Sequence, residues 1–156
     1  MRRFDAISQQ LVRILQTSDQ PLETAEIIAL VQSEFPVSRK IILKRLHDLK
    51  DSEEIEAKFL GSGKGVWVWW RKSAFKKGPL PDHSALEPSE KKLASVIDSS
   101  LYPLETKEVT EQVPEFSREQ VLRKLTVIWG DGVIKGKQVG SGKGVWIWWR
   151  VDAFEK

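Results

Sequence analysis

Apolar residues recur at helical spacing from the start of the chain. Phe4, Ile7, Leu11, Ile14 and Leu15 predict a first helix near 4–16. Thr24 is placed to cap a second helix, with Glu26 in its first turn and Ile27, Ile28, Leu30 and Val31 on its faces. Pro36 ends that helix, because proline has no N–H to continue the hydrogen-bond ladder. Ser38 caps a third, 38–50, in which Ile42, Leu46 and Leu49 form an i, i+4, i+7 stripe. Residues 55–60 then alternate as a strand, the glycine-rich 61–65 turns the chain, and 66–71 returns. The order repeats with helices near 89–99, 106–113 and 117–129 and strands near 133–139 and 145–150. Ser117 and Gln120 form a capping box that fixes the start of the last helix.

The repetition is literal in places. Residues 61–75 read GSGKGVWVWWRKSAF and residues 140–154 read GSGKGVWIWWRVDAF, identical at 12 of 15 positions. Pro21-Leu22-Glu23-Thr24 returns as Pro103-Leu104-Glu105-Thr106. Two copies at a period near 80 describe a duplicated small domain, not a solenoid. Between them, 77–88 holds three prolines and a glycine and reads as a semi-rigid linker.

Composition narrows the chemistry. The 156 residues contain no cysteine, which removes disulfides, thiolate metal sites and a cysteine nucleophile, and only His47 and His83 offer imidazole. No metal, cofactor or nucleotide is expected. No apolar run approaches the roughly 18–20 residues needed to span a bilayer, and the first residues lack the apolar core of a secretory signal. The expected setting is intracellular, either cytoplasmic (nucleoid-associated) or nuclear. His47 is placed on an exposed helix face and His83 in the linker, neither beside an activating carboxylate, and no serine sits in a nucleophile elbow. A non-enzyme is the expectation.

Three helices followed by a two-stranded hairpin, with the pattern S-R-x-x-[IV]-x-x-x-L-x-x-[LI] in the third helix and a Gly/Lys hairpin tip, resemble the winged helix-turn-helix superfamily, twice over nearly the whole chain. The fold class is then α+β: two tandem winged-helix domains, 1–76 and 89–156. The resemblance implies recognition helices at 38–50 and 117–129 and wing tips at 61–65 and 140–144. Weaker similarity, in the Trp-Trp-Arg stretch 69–71, points to the small subunit of the endosomal sorting complex II. Tandem winged helices also resemble the kleisin-binding subunits of chromosome-condensing complexes and an RNA-binding part of the selenocysteine-specific elongation factor.

With the core stripe assigned, the first recognition helix leaves Arg39, Lys40, Leu43, Lys44 and His47 outward, behind the Ser38 cap. Arginine takes guanine bidentately and lysine serves phosphates. The second leaves Arg118, Glu119, Gln120, Leu122, Arg123 and Thr126 outward. Residues 1–78 carry 14 Lys/Arg and 10 Asp/Glu, a net +4, whereas residues 79–156 carry 11 and 12, a net −1. Phosphate neutralisation dominates affinity for DNA, so the first domain should supply most of it. The segment around Lys64 is no Walker loop: Lys58 occupies the required glycine, Gly65 follows the lysine, and a strand rather than a helix comes next. A wing tip whose Lys64 or Lys143 touches phosphate is the alternative.

A five-residue loop pairs Leu60 with Val66, Phe59 with Trp67, Lys58 with Val68 and Ala57 with Trp69, and sets Gly136 opposite Trp148. The return strand is then apolar on both faces, so Val66, Val68 and Trp70, with Val145, Ile147 and Trp149, are expected to form an outer-face patch that wants burial against the other domain, a second copy of the chain or a protein partner. Two functions compete: major-groove recognition of double-stranded DNA, and a protein-interaction scaffold using those wing strands.

Overall fold

A computed structural model describes residues 5–61, 65–75, 79–142 and 144–155. The chain divides into two compact units, one of residues 1–74 with 154–156 and the other of residues 75–153. Each unit is a winged helix.

Unit one runs α1 (Ala6–Thr17), β1 (Leu22–Glu23), α2 (Thr24–Gln32), α3 (Arg39–Asp51), β2 (Ile55–Leu60) and β3 (Val66–Arg71). Phe4 lies outside the described residues. Asp5 caps α1 by accepting from the Ser8 backbone N–H at 2.8 Å. Its other oxygen receives Arg45 Nε of α3 at 2.6 Å, which ties the first helix to the third. The backbone hydrogen bond from Ser8, seconded by Arg45, holds the Asp5 carboxyl below the usual range. Ser38 caps α3 through the Ile41 N–H. Leu11, Leu15, Ile27, Val31, Ile42 and Leu46 close the core against Trp69.

The cap of α2 is Glu23, not Thr24. Glu26 reaches back to the Glu23 N–H at 3.0 Å, and the freed Thr24 hydroxyl accepts the buried Trp69 indole N–H at 2.8 Å. The repeated Pro-Leu-Glu-Thr thus has a physical meaning. Leu22 enters the core, Glu23 starts the helix, and Thr24 satisfies a tryptophan 45 residues away that would otherwise bury a bare donor.

Unit two repeats this with α4 (Pro88–Asp98), β4 (Leu104–Glu105), α5 (Thr106–Gln112), α6 (Arg118–Gly130), β5 (Ile134–Val139) and β6 (Val145–Arg150). Thr106 accepts the Trp148 indole N–H at 2.9 Å, and Lys124 Nζ bonds Ser89 Oγ at 3.0 Å, joining α6 to α4. Both sheets are three-stranded and antiparallel, ordered β1-β3-β2 and β4-β6-β5. The hairpin register pairs Leu60 with Val66, Ala57 with Trp69 and Gly136 with Trp148. A Cβ on Gly136 would lie 2.7 Å from the Trp148 ring, so the small residue is required there.

Candidate interaction surfaces

On α3, Arg39 and Lys40 are exposed at the helix start, and neither is paired with an acid among the described residues. Lys44 is exposed and lies 3.5 Å from Asp48, one turn on. Ser38 is occupied as the cap. His47 departs from its expected place on the outer face. It is half-buried, edge-on to Trp67 at 5.2 Å and Trp69 at 5.1 Å, because the wing strand folds over that flank of the helix. Lys50, one turn further along, sits 5.4 Å over the Trp67 ring. Unit one therefore presents cations at the start of α3 and an aromatic ladder towards its end.

The matching helix of unit two is chemically different. Arg118, Glu119, Gln120 and Arg123 are exposed, with Gln120 held in the capping box of Ser117. Lys40 is answered by Glu119, His47 by Thr126 and Lys50 by Trp129. Leu122 is 39% exposed, Val127 50% and Trp129 39%. Leu122 and Trp129 share one flank of α6, and Trp129 leans on Trp146 of the wing at 5.1 Å. One charge reversal, from Lys40 to Glu119, and one lost cation, from Lys50 to Trp129, leave this face less basic and more apolar than its counterpart, although Arg118 and Arg123 remain exposed on it. Periodicity alone missed Trp129 and Val127, because both fall outside the core stripe and outside the outward set that the stripe defines.

At the wing tips, Lys64 and Lys143 lie outside the described residues. Gly65, Gly142 and Gly144 beside them adopt positive φ of 47°, 67° and 61°. A side chain there would be strained, which accounts for the glycines without invoking phosphate.

The wing strands correct a second expectation. Trp70 and Trp149 are each only 3% exposed, and Val68 and Ile147 are fully buried, while Val66 and Val145 are half-buried. β3 and β6 are the central strands of their sheets, and Val68, Trp70, Ile147 and Trp149 on their second face are buried, so that face is not an open patch. In unit one the Trp70 indole N–H donates to Glu56 at 2.7 Å.

The linker reading also changes. Residues from Pro79 onward belong to unit two. His83, expected to lack a carboxylate partner, hydrogen-bonds the buried Asp98 through Nε2. Arg150, itself buried, donates Nη1 to the Asp98 carbonyl at 3.1 Å and Nη2 to the Pro79 carbonyl at 3.3 Å, and clamps Asp152 with its fork. Burial raises the Asp98 carboxyl above its ordinary value despite His83, whereas the Arg150 fork lowers Asp152. Proline-rich composition suggested a spacer, and buried polar contacts make it a strap.

No family model matches the chain, and no curated protein matches it. Among solved structures, the chain is similar in fold to a chain of the Nse1-Nse3-Nse4 complex. That match has 13% identity and a TM-score of 0.35, over 92% of this chain and 78% of that one. It is also similar to ScpB from Mycobacterium tuberculosis, with 14% identity and a TM-score of 0.30, over 96% and 93% respectively. Both likenesses are too distant to bring a function to this chain. No helix among the described residues is long and apolar enough to cross a membrane. Among them, too, no group of three or more histidine or acidic side chains could hold a metal ion.

Proposed function

We propose that the protein is a non-catalytic adaptor, a winged-helix subunit that holds a protein partner on α6 of its second unit. The observation carrying this reading is the exposed Leu122–Trp129 flank, backed by Trp146 and bordered by Glu119, on the helix whose counterpart in unit one is basic. Exposed aromatic and aliphatic anchors over a firm base are what binding hot spots are made of, and losing one commonly costs about 2 kcal/mol or more of affinity. Glu119 beside Arg118 at the base-reading end makes the face less favourable to phosphate than its counterpart in unit one. A photo-crosslinking side chain at Thr126, between those anchors, is expected to trap one discrete partner in cells. Leu122→Asp should abolish the adduct without unfolding the chain. Persistence of the adduct in Leu122→Asp would remove α6 as the docking face.

A second reading belongs to unit one, where Arg39 and Lys40 stand unpaired and exposed at the start of α3, the end a helix-turn-helix directs at base edges. Duplex DNA is its ligand. Arg39→Ala with Lys40→Ala is expected to weaken duplex binding at least tenfold, and to reduce its salt dependence, with the thermal midpoint unchanged. Unchanged affinity in an anisotropy titration would end this reading. The two units then divide the labour, one towards nucleic acid and one towards protein.

A further inference from the structure

Phe59 is the one large apolar side chain of the unit-one sheet that stays substantially open, at 45% exposure on the edge strand β2. It is not loosely held. Its ring crosses the backbone of Gly65, where a Cβ would sit 2.2 Å from Phe59 Cζ, so no residue but glycine leaves room for it. On its other side it meets Trp67, with ring centroids 5.4 Å apart. Trp67 in turn stacks on Trp69 at 5.5 Å, receives the edge of His47 and lies under Lys50. The result is a braced ladder of aromatic rings whose last member, Phe59, stays partly exposed. Unit two does not build it: Gln138 takes the position of Phe59 and packs beside Gly144 instead.

We propose that Phe59 is a stacking platform for an unpaired nucleic-acid base, with the strand's phosphates running along α3 towards Arg39 and Lys40. A partly exposed aromatic ring, braced by Gly65 and Trp67, with cations on the adjoining helix matches what a flexible single strand needs. Stacking accepts any base, and the positive groove holds the backbone. A protein ligand is disfavoured, because Arg39, Leu43, His47 and Lys50 share one helix flank and three of the four are basic side chains. A base inside a duplex hides its face in the stack, so the site selects single strands, frayed ends or forks. The inference rests on the nucleic-acid reading of unit one and is independent of the α6 face.

The test titrates the full chain with labelled oligothymidylate of about 15 nucleotides, and separately with a blunt duplex of equal length, by fluorescence anisotropy at low salt. Phe59→Ala is expected to weaken single-strand binding about tenfold, in line with a stacked base, and duplex binding less than twofold. Phe59→Tyr should retain both. Phe59→Leu keeps an apolar group over Gly65 but no stacking face. It should match the alanine variant, and it decides the matter if alanine lowers the melting midpoint. Equal loss on both ligands, or no loss on the single strand, overturns the platform. Wild-type binding to duplex alone overturns it while leaving the α3 reading intact, and binding to neither removes both.

Discussion

Replacing Trp148 with alanine is expected to unfold the second winged helix. The indole is almost wholly buried, stacks on Trp146 at 5.2 Å, faces Gly136 across the sheet and donates its N–H to Thr106. Removing a buried tryptophan typically costs about 3–5 kcal/mol, and this one also strands the Thr106 hydroxyl in the core. A domain of this size has little stability in reserve, because small folds bury a smaller share of their surface. Denaturant titration followed by far-UV circular dichroism should show one half of the helical signal lost before denaturant is added. Thr106→Val, which keeps the volume and removes only the acceptor, should cost about 1–3 kcal/mol. A Trp148→Ala protein as stable as the parent would contradict the packing described for β6.

Arg150→Ala should be nearly as damaging, at about 3–5 kcal/mol, because a buried guanidinium is lost and the buried Asp98 loses the donor to its carbonyl. The guanidinium donates to the Asp98 and Pro79 carbonyls and faces the Asp152 carboxylate. Arg150→Lys should not rescue it, since an ammonium cannot fill a planar fork. The matching Arg71→Ala should cost much less: Arg71 is half-exposed, donates to the Glu155 carbonyl at 3.2 Å and stacks over Phe154. Acid should act on the Arg150 clamp in two directions. Asp152 is depressed, so its pairing contributes stability at neutral pH that is lost as pH falls through its lowered value. Asp98 is raised, so it favours the folded state while protonated and withdraws that contribution as pH rises through its elevated value. Thermal midpoints of Arg150→Ala and the parent across pH 3–7 would separate the two. The deficit of the variant should narrow in acid as Asp152 protonates.

Local signals made the elements and the hairpin register legible. A glycine-rich turn flanked by alternating strands leaves one pairing that seats Ala57 and Gly136 against the large indoles. β1 and β4 escaped notice because two residues have no period. Thr24 was read as a cap from its residue type, yet its partner is Trp69, a relation no local window contains. His47 lies opposite the apolar stripe of its own helix, and only the approach of β3 reveals that its flank is covered. Trp70 and Trp149 were assigned to the correct strand face, but a face identified by alternation is not thereby open to solvent. Asp98 and His83 are 15 residues apart in segments of unrelated character, and burial, which composition cannot report, is what joins them.

The near-identity of the two return strands has a consequence for how the chain reaches this state. β3 and β6 differ at one of six positions, so during folding each outgoing strand meets two almost equivalent mates. Discrimination falls to the outgoing strands themselves. Ala57 carries a methyl against Trp69, whereas at Gly136 the Trp148 ring fills the space a methyl would need and Trp129 approaches from its own helix. A crossed pairing would bring the Gly136 strand to a unit whose third helix has Lys50 in place of that tryptophan, leaving a void. Kinetic competition between the native hairpins and their exchanged forms is therefore built into the duplication, and nearest-neighbour hairpin closure, across loops of only five residues, is what resolves it.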